Sequence, residues 1–201
     1  MRVAVHQLQE HRCSGRFADR LRDRGDVGLG DHAGRLTVRS GSKHFCGTLR
    51  PMTSDRYFED YVRGTTHDCG SVEVTEADIL DFARRYDPQS FHVDAVAAAD
   101  GPFGGLIASG WHTASLMMRL YADPYLSTVS SLGSPGVDEL RWPRPVRPGS
   151  VLRLRATVTE ARLSRSKPDR GLVRTQVEFV DAEDDVVFSA SLLNLILVRP
   201  G

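Results

Sequence analysis

The chain has 201 residues, a length that predicts one large domain or one domain with an appendage. Its 26 basic and 26 acidic residues balance, and 40% of its residues are hydrophobic, which is enough for a packed core. No apolar run reaches the roughly 18–20 residues of a membrane-spanning helix. The charge balance and the lack of a nucleic-acid-binding module argue against nucleic-acid partners.

Residues 1–51 differ in composition from the rest of the chain. They hold ten basic and five acidic residues and few large aliphatic side chains, and no period of 2 or 3.6 residues runs through them. This composition is typical of a disordered or weakly structured extension. The pattern changes at Met52, which is a candidate for the biological start. We expect residues 52–201 to form the domain.

The cysteines and the amino terminus indicate the compartment. Cys13, Cys46 and Cys69 form neither a CxxC pair nor a set with metal-ligand spacing, so we expect no metal site. An odd number of cysteines favours a reducing compartment over a disulfide framework. The amino terminus lacks the apolar segment of a secretory signal, so we expect a cytoplasmic protein with no membrane partner.

The first helix is predicted to follow a short alternating strand over residues 71–75. Thr75 begins the sequence Thr-Glu-Ala-Asp, which is close to a capping box. Apolar residues then recur with the spacing of one helical face, at Ile79, Phe82, Ala83 and Tyr86. Pro88 disfavours helical geometry at Asp87, so the helix is expected to end there. His92 is expected in the loop that follows.

Two further helices are predicted before residue 126. Asp94 is placed to cap a short helix over residues 95–99. A longer helix is predicted over residues 111–121 and is expected to end at Asp123-Pro124. Its sequence leaves almost no polar face, and a helix that is apolar nearly all round is a buried one.

From Leu126 onward the pattern is typical of strands. Candidate strands cover residues 137–142, 151–158, 173–180 and 186–198. The last is long and apolar, as expected for a central strand buried on both faces. A buried helix followed by an antiparallel meander indicates an α+β fold, in which one antiparallel sheet wraps around one buried central helix.

Two motifs carry the candidate chemistry: YDPQSFH over residues 86–92 and FGGLIASGWH over residues 103–112. The first contains Asp87 and His92, whose ordinary pKa values are about 3.9 and about 6.5. Two such groups aimed at one water molecule can act as an acid–base pair. Together the motifs resemble the signature of MaoC-like dehydratases, the (R)-specific enoyl-CoA hydratases of the hotdog fold, and the resemblance covers roughly residues 53–200.

The resemblance implies a single hotdog domain that works as a homodimer on an acyl or enoyl thioester. The implied reaction is the reversible hydration of a trans-2-enoyl thioester to an (R)-3-hydroxyacyl thioester. Asp87 and His92 would hold the catalytic water. Gly110 and Ser109 would form the oxyanion and substrate-binding site, with the Gly110 N–H on the thioester oxygen. No cofactor is implied beyond coenzyme A as part of the substrate.

Several alternatives stay open at this level. Gly110 can serve tight packing alone. Arg141 and Arg144 are candidate contacts for coenzyme A phosphates, although most arginine clusters are solvated surface. Gln89 and Ser90 stand where the resembling family commonly has Asn-Pro, so the loop lacks a rigid ring. The alternative functions are a hotdog acyl-CoA thioesterase and a non-catalytic hotdog binding partner.

Overall fold

The structure, a computed structural model, describes residues 55–201. The predicted extension over residues 1–51 and the domain start at residue 52 lie outside this described part. None of the helices in residues 55–201 has the length and apolar content that crossing a membrane requires.

A five-stranded antiparallel sheet forms the body of the described part. Its strand order is β1-β3-β4-β5-β2. The strands are β1 (Thr66–Val74), β2 (Gly136–Arg141), β3 (Ser150–Leu163), β4 (Arg170–Val180) and β5 (Val186–Leu197). The middle strand is therefore β4, and β5 is the interior strand beside it. Periodicity alone does not distinguish these two positions, because both strands have neighbours on each side.

The helices lie before and between the first two strands. A 3₁₀ helix covers Phe58–Asp60, and the α-helices are α1 (Glu76–Tyr86), α2 (Ser90–Val93), α3 (Ala95–Ala99) and α4 (Gly110–Tyr125). The longest, α4, packs across the concave face of the sheet. Tyr125 and Thr175 of β4 share a hydrogen bond through their hydroxyl groups (2.8 Å), and the Asn194 amide of β5 donates to the Tyr121 hydroxyl (2.8 Å). The predicted α+β hotdog fold is confirmed.

Local sequence signals explain where α1 begins and ends. The Thr75 hydroxyl oxygen accepts a hydrogen bond from the Asp78 N–H (3.1 Å), and its O–H donates to the Asp78 carboxylate (2.6 Å). This pair caps the amino end as predicted. The helix ends before Asp87, whose N–H still donates to the Ala83 carbonyl (2.9 Å). Tyr86 is 70% exposed, so the last position of the predicted apolar face is not buried.

The segment after α1 is more helical than predicted. His92 lies in α2 and not in a loop, because the His92 N–H donates to the Gln89 carbonyl (2.8 Å) and closes a single turn. A four-residue helix is too short for a periodic signal to reveal. Asp94 caps α3 as predicted, since its carboxylate accepts from the N–H groups of Val96 and Ala97 (3.0 Å each).

The prediction for α4 was wrong in two respects. The helix runs past Asp123-Pro124 to Tyr125, because Pro124 lies in the last turn, where its missing N–H and its ring disturb only the helix end. The helix is also not buried all round. Trp111 is 60% exposed and Met118 is 43% exposed in the single chain, whereas the side facing the sheet is buried.

The core lies between α4 and the inner face of the sheet. Alternate residues of the strands supply it, as the period of two requires. Its fully buried side chains include Val74, Leu152, Leu154, Val158, Val173, Phe179, Phe188 and Ile196. This packing fixes the amino end of α4 at one edge of the core, next to the carboxyl end of α1.

Candidate active site

The carboxyl end of α1, the short helix α2 and the amino end of α4 meet at one cleft of about 430 Å³. Its polar lining includes Asp87, Gln89, His92 and Arg144. Its apolar lining comes largely from aromatic residues and prolines: Phe91, Phe103, Trp111, Trp142, Pro143 and Pro145. A few polar groups converging in an otherwise apolar cleft are typical of a small-molecule site.

His92 is buried and held in one tautomer. Its Nδ1 lies 2.8 Å from the Ile107 carbonyl oxygen. Because a carbonyl only accepts hydrogen bonds, Nδ1 carries the hydrogen. In the neutral ring, Nε2 therefore has a free lone pair, and it lies 3.4 Å from Oδ2 of Asp87. The two side chains that the first motif singled out thus meet in the cleft.

Asp87 is held as a carboxylate. Ser109 Oγ donates to Oδ2 (2.6 Å), and Gln89 Nε2 donates to Oδ1 (2.8 Å). The Ser109 hydrogen bond, above all, holds the pKa of Asp87 below its ordinary value, and partial burial opposes it only in part. The Gln89 bond and the charge of a protonated His92 lower that pKa further. The carboxylate is therefore ionised at neutral pH and acts as an acceptor.

Asp87 Oδ2 and the neutral His92 Nε2 are two acceptors facing each other at 3.4 Å. Neither atom can donate to the other in this protonation state. A water molecule has two O–H groups and satisfies both acceptors at once. At 3.4 Å the two acceptors are too close for a water molecule to lie on the line between them, but a water molecule in the cleft beside the pair can donate one O–H to each.

Ser109 and Gly110 lie at the start of α4. The Ser109 hydroxyl, predicted at the substrate, donates to Asp87 and accepts from the Trp111 N–H (3.2 Å), so it joins the helix cap to the carboxylate. Gly110 is the first residue of the helix and lines the cleft. The first intrahelical bond runs from the Thr113 N–H to the Ser109 carbonyl, so the Gly110 N–H precedes it. Such N–H groups carry the partial positive charge of the helix amino end.

Trp142 is a residue of the cleft lining to which the sequence patterns assigned no functional role. Its indole N–H donates to the Gly110 carbonyl (2.9 Å), and its ring makes an edge contact with Trp111 (centroids 5.6 Å apart). A Cβ at residue 110 would lie 2.6 Å from the Trp142 ring. Gly110 thus serves close packing as well. Residues 110 and 142 are 32 positions apart, and no local pattern in the sequence joins them.

The other predicted residues are not brought together. Arg144 lines the cleft, but its guanidinium forms an ion pair with Asp185. Arg141 does not line this cleft, and its guanidinium donates to the Leu140 carbonyl (3.0 Å). The two arginines therefore do not form one phosphate-binding pair in this arrangement.

His112 and Ser115 do not join Asp87 in a serine–histidine–aspartate triad. The His112 ring stacks on Phe82 (centroids 5.0 Å apart), where burial lowers its pKa, and Ser115 donates to the Trp111 carbonyl (2.8 Å). Within residues 55–201, no three or more His, Cys, Asp or Glu side chains cluster in a way that could hold a metal ion.

Comparisons with known proteins agree with the fold and the motifs. A family model described as a MaoC-like domain matches residues 62–180. The crystal structure of the MaoC-like dehydratase from Rhodospirillum rubrum is 37% identical with a TM-score of 0.68, over 73% of this chain and 99% of that one. Protein YdeM of Bacillus subtilis, which is uncharacterised, is 25% identical over 138 residues, 69% of this chain and 96% of YdeM.

A third relative is named for its reaction. The 3-hydroxyacyl-thioester dehydratase Z of Mycobacterium tuberculosis is 40% identical over 88 residues. This match covers 43% of the chain and 57% of dehydratase Z, so the chain spans just over half of that relative's length. The family model, by contrast, matches more than half of the chain, and the matched residues include both motifs. The chain belongs to the MaoC-like dehydratase family, a family of hydro-lyases.

Proposed function

We propose that the protein catalyses the reversible hydration of a trans-2-enoyl thioester to an (R)-3-hydroxyacyl thioester. The observation that carries this proposal is the pair of facing acceptors, Asp87 Oδ2 and His92 Nε2, 3.4 Å apart in an apolar cleft. One water molecule held in the cleft beside this pair is both bound and activated. The similarity to dehydratase Z, a 3-hydroxyacyl-thioester dehydratase by name, supports the same substrate class.

In the hydration direction, the water oxygen bonds to C3 of the enoyl thioester. His92 Nε2 accepts one proton of the water as this bond forms, and the ring becomes an imidazolium. The ionised Asp87 orients the water through its other O–H and stabilises the imidazolium. The enolate is then protonated at C2 by the imidazolium, so His92 returns to its neutral state and one water has been added.

The enolate formed during this step carries negative charge on the thioester oxygen. Gly110 is the residue best placed to stabilise that charge, because it lines the cleft and its N–H belongs to the amino end of α4. Removing one such donor typically slows an enzyme by about 10²–10³-fold. Coenzyme A enters as part of the substrate, with Arg144 as the candidate phosphate contact, and the mechanism uses no other cofactor.

A homodimer is the proposed working form. Support comes from apolar side chains that the single chain leaves exposed, namely Trp111 and Met118 on α4 and Val137 on the edge strand β2. An open sheet edge and an apolar helix face are surfaces that a second copy commonly covers. Sedimentation of the purified chain measures this state directly. A cytoplasmic location remains part of the same proposal.

The test is a direct assay of the purified full chain. Enoyl-CoA substrates of graded length should lose their conjugated absorbance, and chiral analysis should identify the (R)-3-hydroxyacyl product. Saturated acyl-CoA should release no free thiol. Thiol release without hydration would replace this proposal with a thioesterase, and inactivity on every thioester would favour a binding partner.

A further inference from the structure

We propose that Trp142 is a positioning residue for the amino end of α4, and that residue 110 must be glycine because it lies beneath the Trp142 indole. This inference rests on the proposed function, in which the Gly110 N–H binds the thioester oxygen. Glycine is required at residue 110 because of the neighbouring Trp142 ring, and not because of the backbone N–H that donates the hydrogen bond. Every residue except proline has a backbone N–H, so donation alone does not require glycine.

The contact between the two residues is unusually close. An ideal Cβ at residue 110 would lie 2.6 Å from Cε2 of Trp142, 2.9 Å from Cδ2 and 2.9 Å from Nε1. Real Cβ atoms do not approach heavy atoms within 3.0 Å, so an alanine would displace the ring or the helix. The atoms that this Cβ would meet belong to a planar bicyclic ring, which has no internal flexibility and could move only as a whole.

Trp142 lies in a segment that is hydrogen-bonded at both of its ends to the chain around the start of α4. The segment follows β2 and covers residues 142–146. At one end the indole N–H donates to the Gly110 carbonyl (2.9 Å), and at the other the Ala108 N–H donates to the Val146 carbonyl (2.8 Å). Pro143 and Pro145 fix two of the backbone angles between these bonds. The segment therefore bridges the chain just before α4 and the first residue of α4.

The bridge matters because the direction of the Gly110 N–H follows the position of the first helical turn. Electrostatic stabilisation of an enolate requires a donor held about 2.7–3.1 Å from the oxygen in the transition state. Trp142 also lines the cleft, so its ring can affect both substrate binding and turnover. Replacing a residue that only lines the cleft would change KM, whereas replacing a residue that orients the Gly110 N–H changes kcat.

The first part of the experiment replaces Trp142 by Phe, which keeps an aromatic ring but removes the indole N–H. We expect kcat to fall by about threefold to tenfold, the worth of one ordinary hydrogen bond, with KM changed by less than about twofold. Leu163→Ala is the control, because it removes an exposed apolar side chain at the end of β3, outside the cleft lining. It should leave kcat and KM unchanged.

The second part is a cycle of Gly110→Ala and Trp142→Ala, measured alone and together. Gly110→Ala should lower kcat by about 10–100-fold in the native background, because a displacement of about 1 Å can cost that much. With alanine at residue 142 the same change should alter kcat by less than about threefold, because the clash is gone. If Trp142→Ala does not fold, as judged by circular dichroism, Trp142→Leu takes its place in the cycle.

Three outcomes overturn the inference. Equal losses from Gly110→Ala in both backgrounds would show that Trp142 is not the reason for glycine. Trp142 variants that raise KM and leave kcat intact would reduce Trp142 to a wall of the cleft. A wild-type chain that hydrates no enoyl thioester would refute the proposed function itself, and this inference with it, whereas an active wild type with additive variants would refute the inference alone.

Discussion

Asp87 and His92 give the sharpest test among single residues. Asp87→Asn and His92→Gln should each lower kcat by about 10²–10⁴-fold, the usual contribution of an acid–base group. Both changes are nearly isosteric, so folding and KM should change little. The double variant should be scarcely worse than either single one, because both residues act on the same water. Steady-state kinetics on an enoyl thioester measures all three, and a fully active His92→Gln variant would remove the dyad from the mechanism.

Ser109→Ala tests the hydrogen bond that holds the Asp87 carboxylate. This bond is the foremost cause of the low pKa of Asp87, so losing it should raise that pKa. Since the ionised carboxylate is the active form, the acid limb of the kcat/KM profile should move to higher pH. Ser115→Ala, further along the same helix, removes a hydroxyl that bonds only to the Trp111 carbonyl and is the matched control. A profile unchanged by Ser109→Ala would contradict the assignment.

His112 should make the fold sensitive to mild acid. Burial against Phe82 lowers its pKa, and Asp78 opposes this only in part. The unfolded chain therefore binds more protons below the ordinary pKa of 6.5, and the free energy of unfolding falls as the pH drops from there toward the folded-state pKa. His112→Phe should flatten this dependence in urea unfolding between about pH 7 and about pH 5. A slope as steep as that of the wild type would assign the effect to another group.

Sequence motifs predicted the two side chains that the structure brings together, but not all of the groups that hold them. Asp87 and His92 are close in the chain, so a local pattern reveals them together. The Ile107 carbonyl, which fixes the His92 tautomer, and Trp142, which covers Gly110, reach the site only through the tertiary fold. Contacts of this kind depend on how α4 and the sheet pack, and no spacing in the sequence encodes them.

Among the helices, α4 decides whether the core forms. Met117 is 4% exposed and belongs to the core between α4 and the sheet. Met117→Asp should bury an unpaired charge, which costs several kcal/mol, and prevent soluble folding. Met118→Asp is the control on the next residue, which is 43% exposed in the single chain, so the chain should still fold even though the carboxylate would lie in the proposed dimer interface. Soluble yield and far-ultraviolet circular dichroism compare the two, and a folded Met117→Asp protein would show that α4 does not pack as described.

The elements differ in how far their sequences predict them. The start of α1 follows from Thr75 and a clear periodic face, and α3 follows from its Asp94 cap. The single turn of α2 has too few residues to show a helical period. The predicted end of α4 was wrong because a proline in the last turn disturbs only the end of a helix. The exposed side of α4 was missed because apolar residues at a surface and in a core look alike in sequence.

The whole molecule should not depend on its first residues for stability. Residues 1–51 hold few large aliphatic side chains and show no periodic pattern. A chain that begins at Met52 should melt within a few degrees of the full chain and retain its activity. Differential scanning calorimetry and the hydration assay compare the two. A drop of many degrees would show that the first segment belongs to the folded unit.

The aromatic contact at the cleft has an optical consequence. The chain contains two tryptophans, and both of them, Trp111 and Trp142, line the cleft and touch each other. All tryptophan fluorescence of the protein therefore originates at the site where the thioester would bind. Emission intensity and wavelength should report occupancy without any label, and replacing either indole would leave a single fluorophore on one known side of the bound ligand.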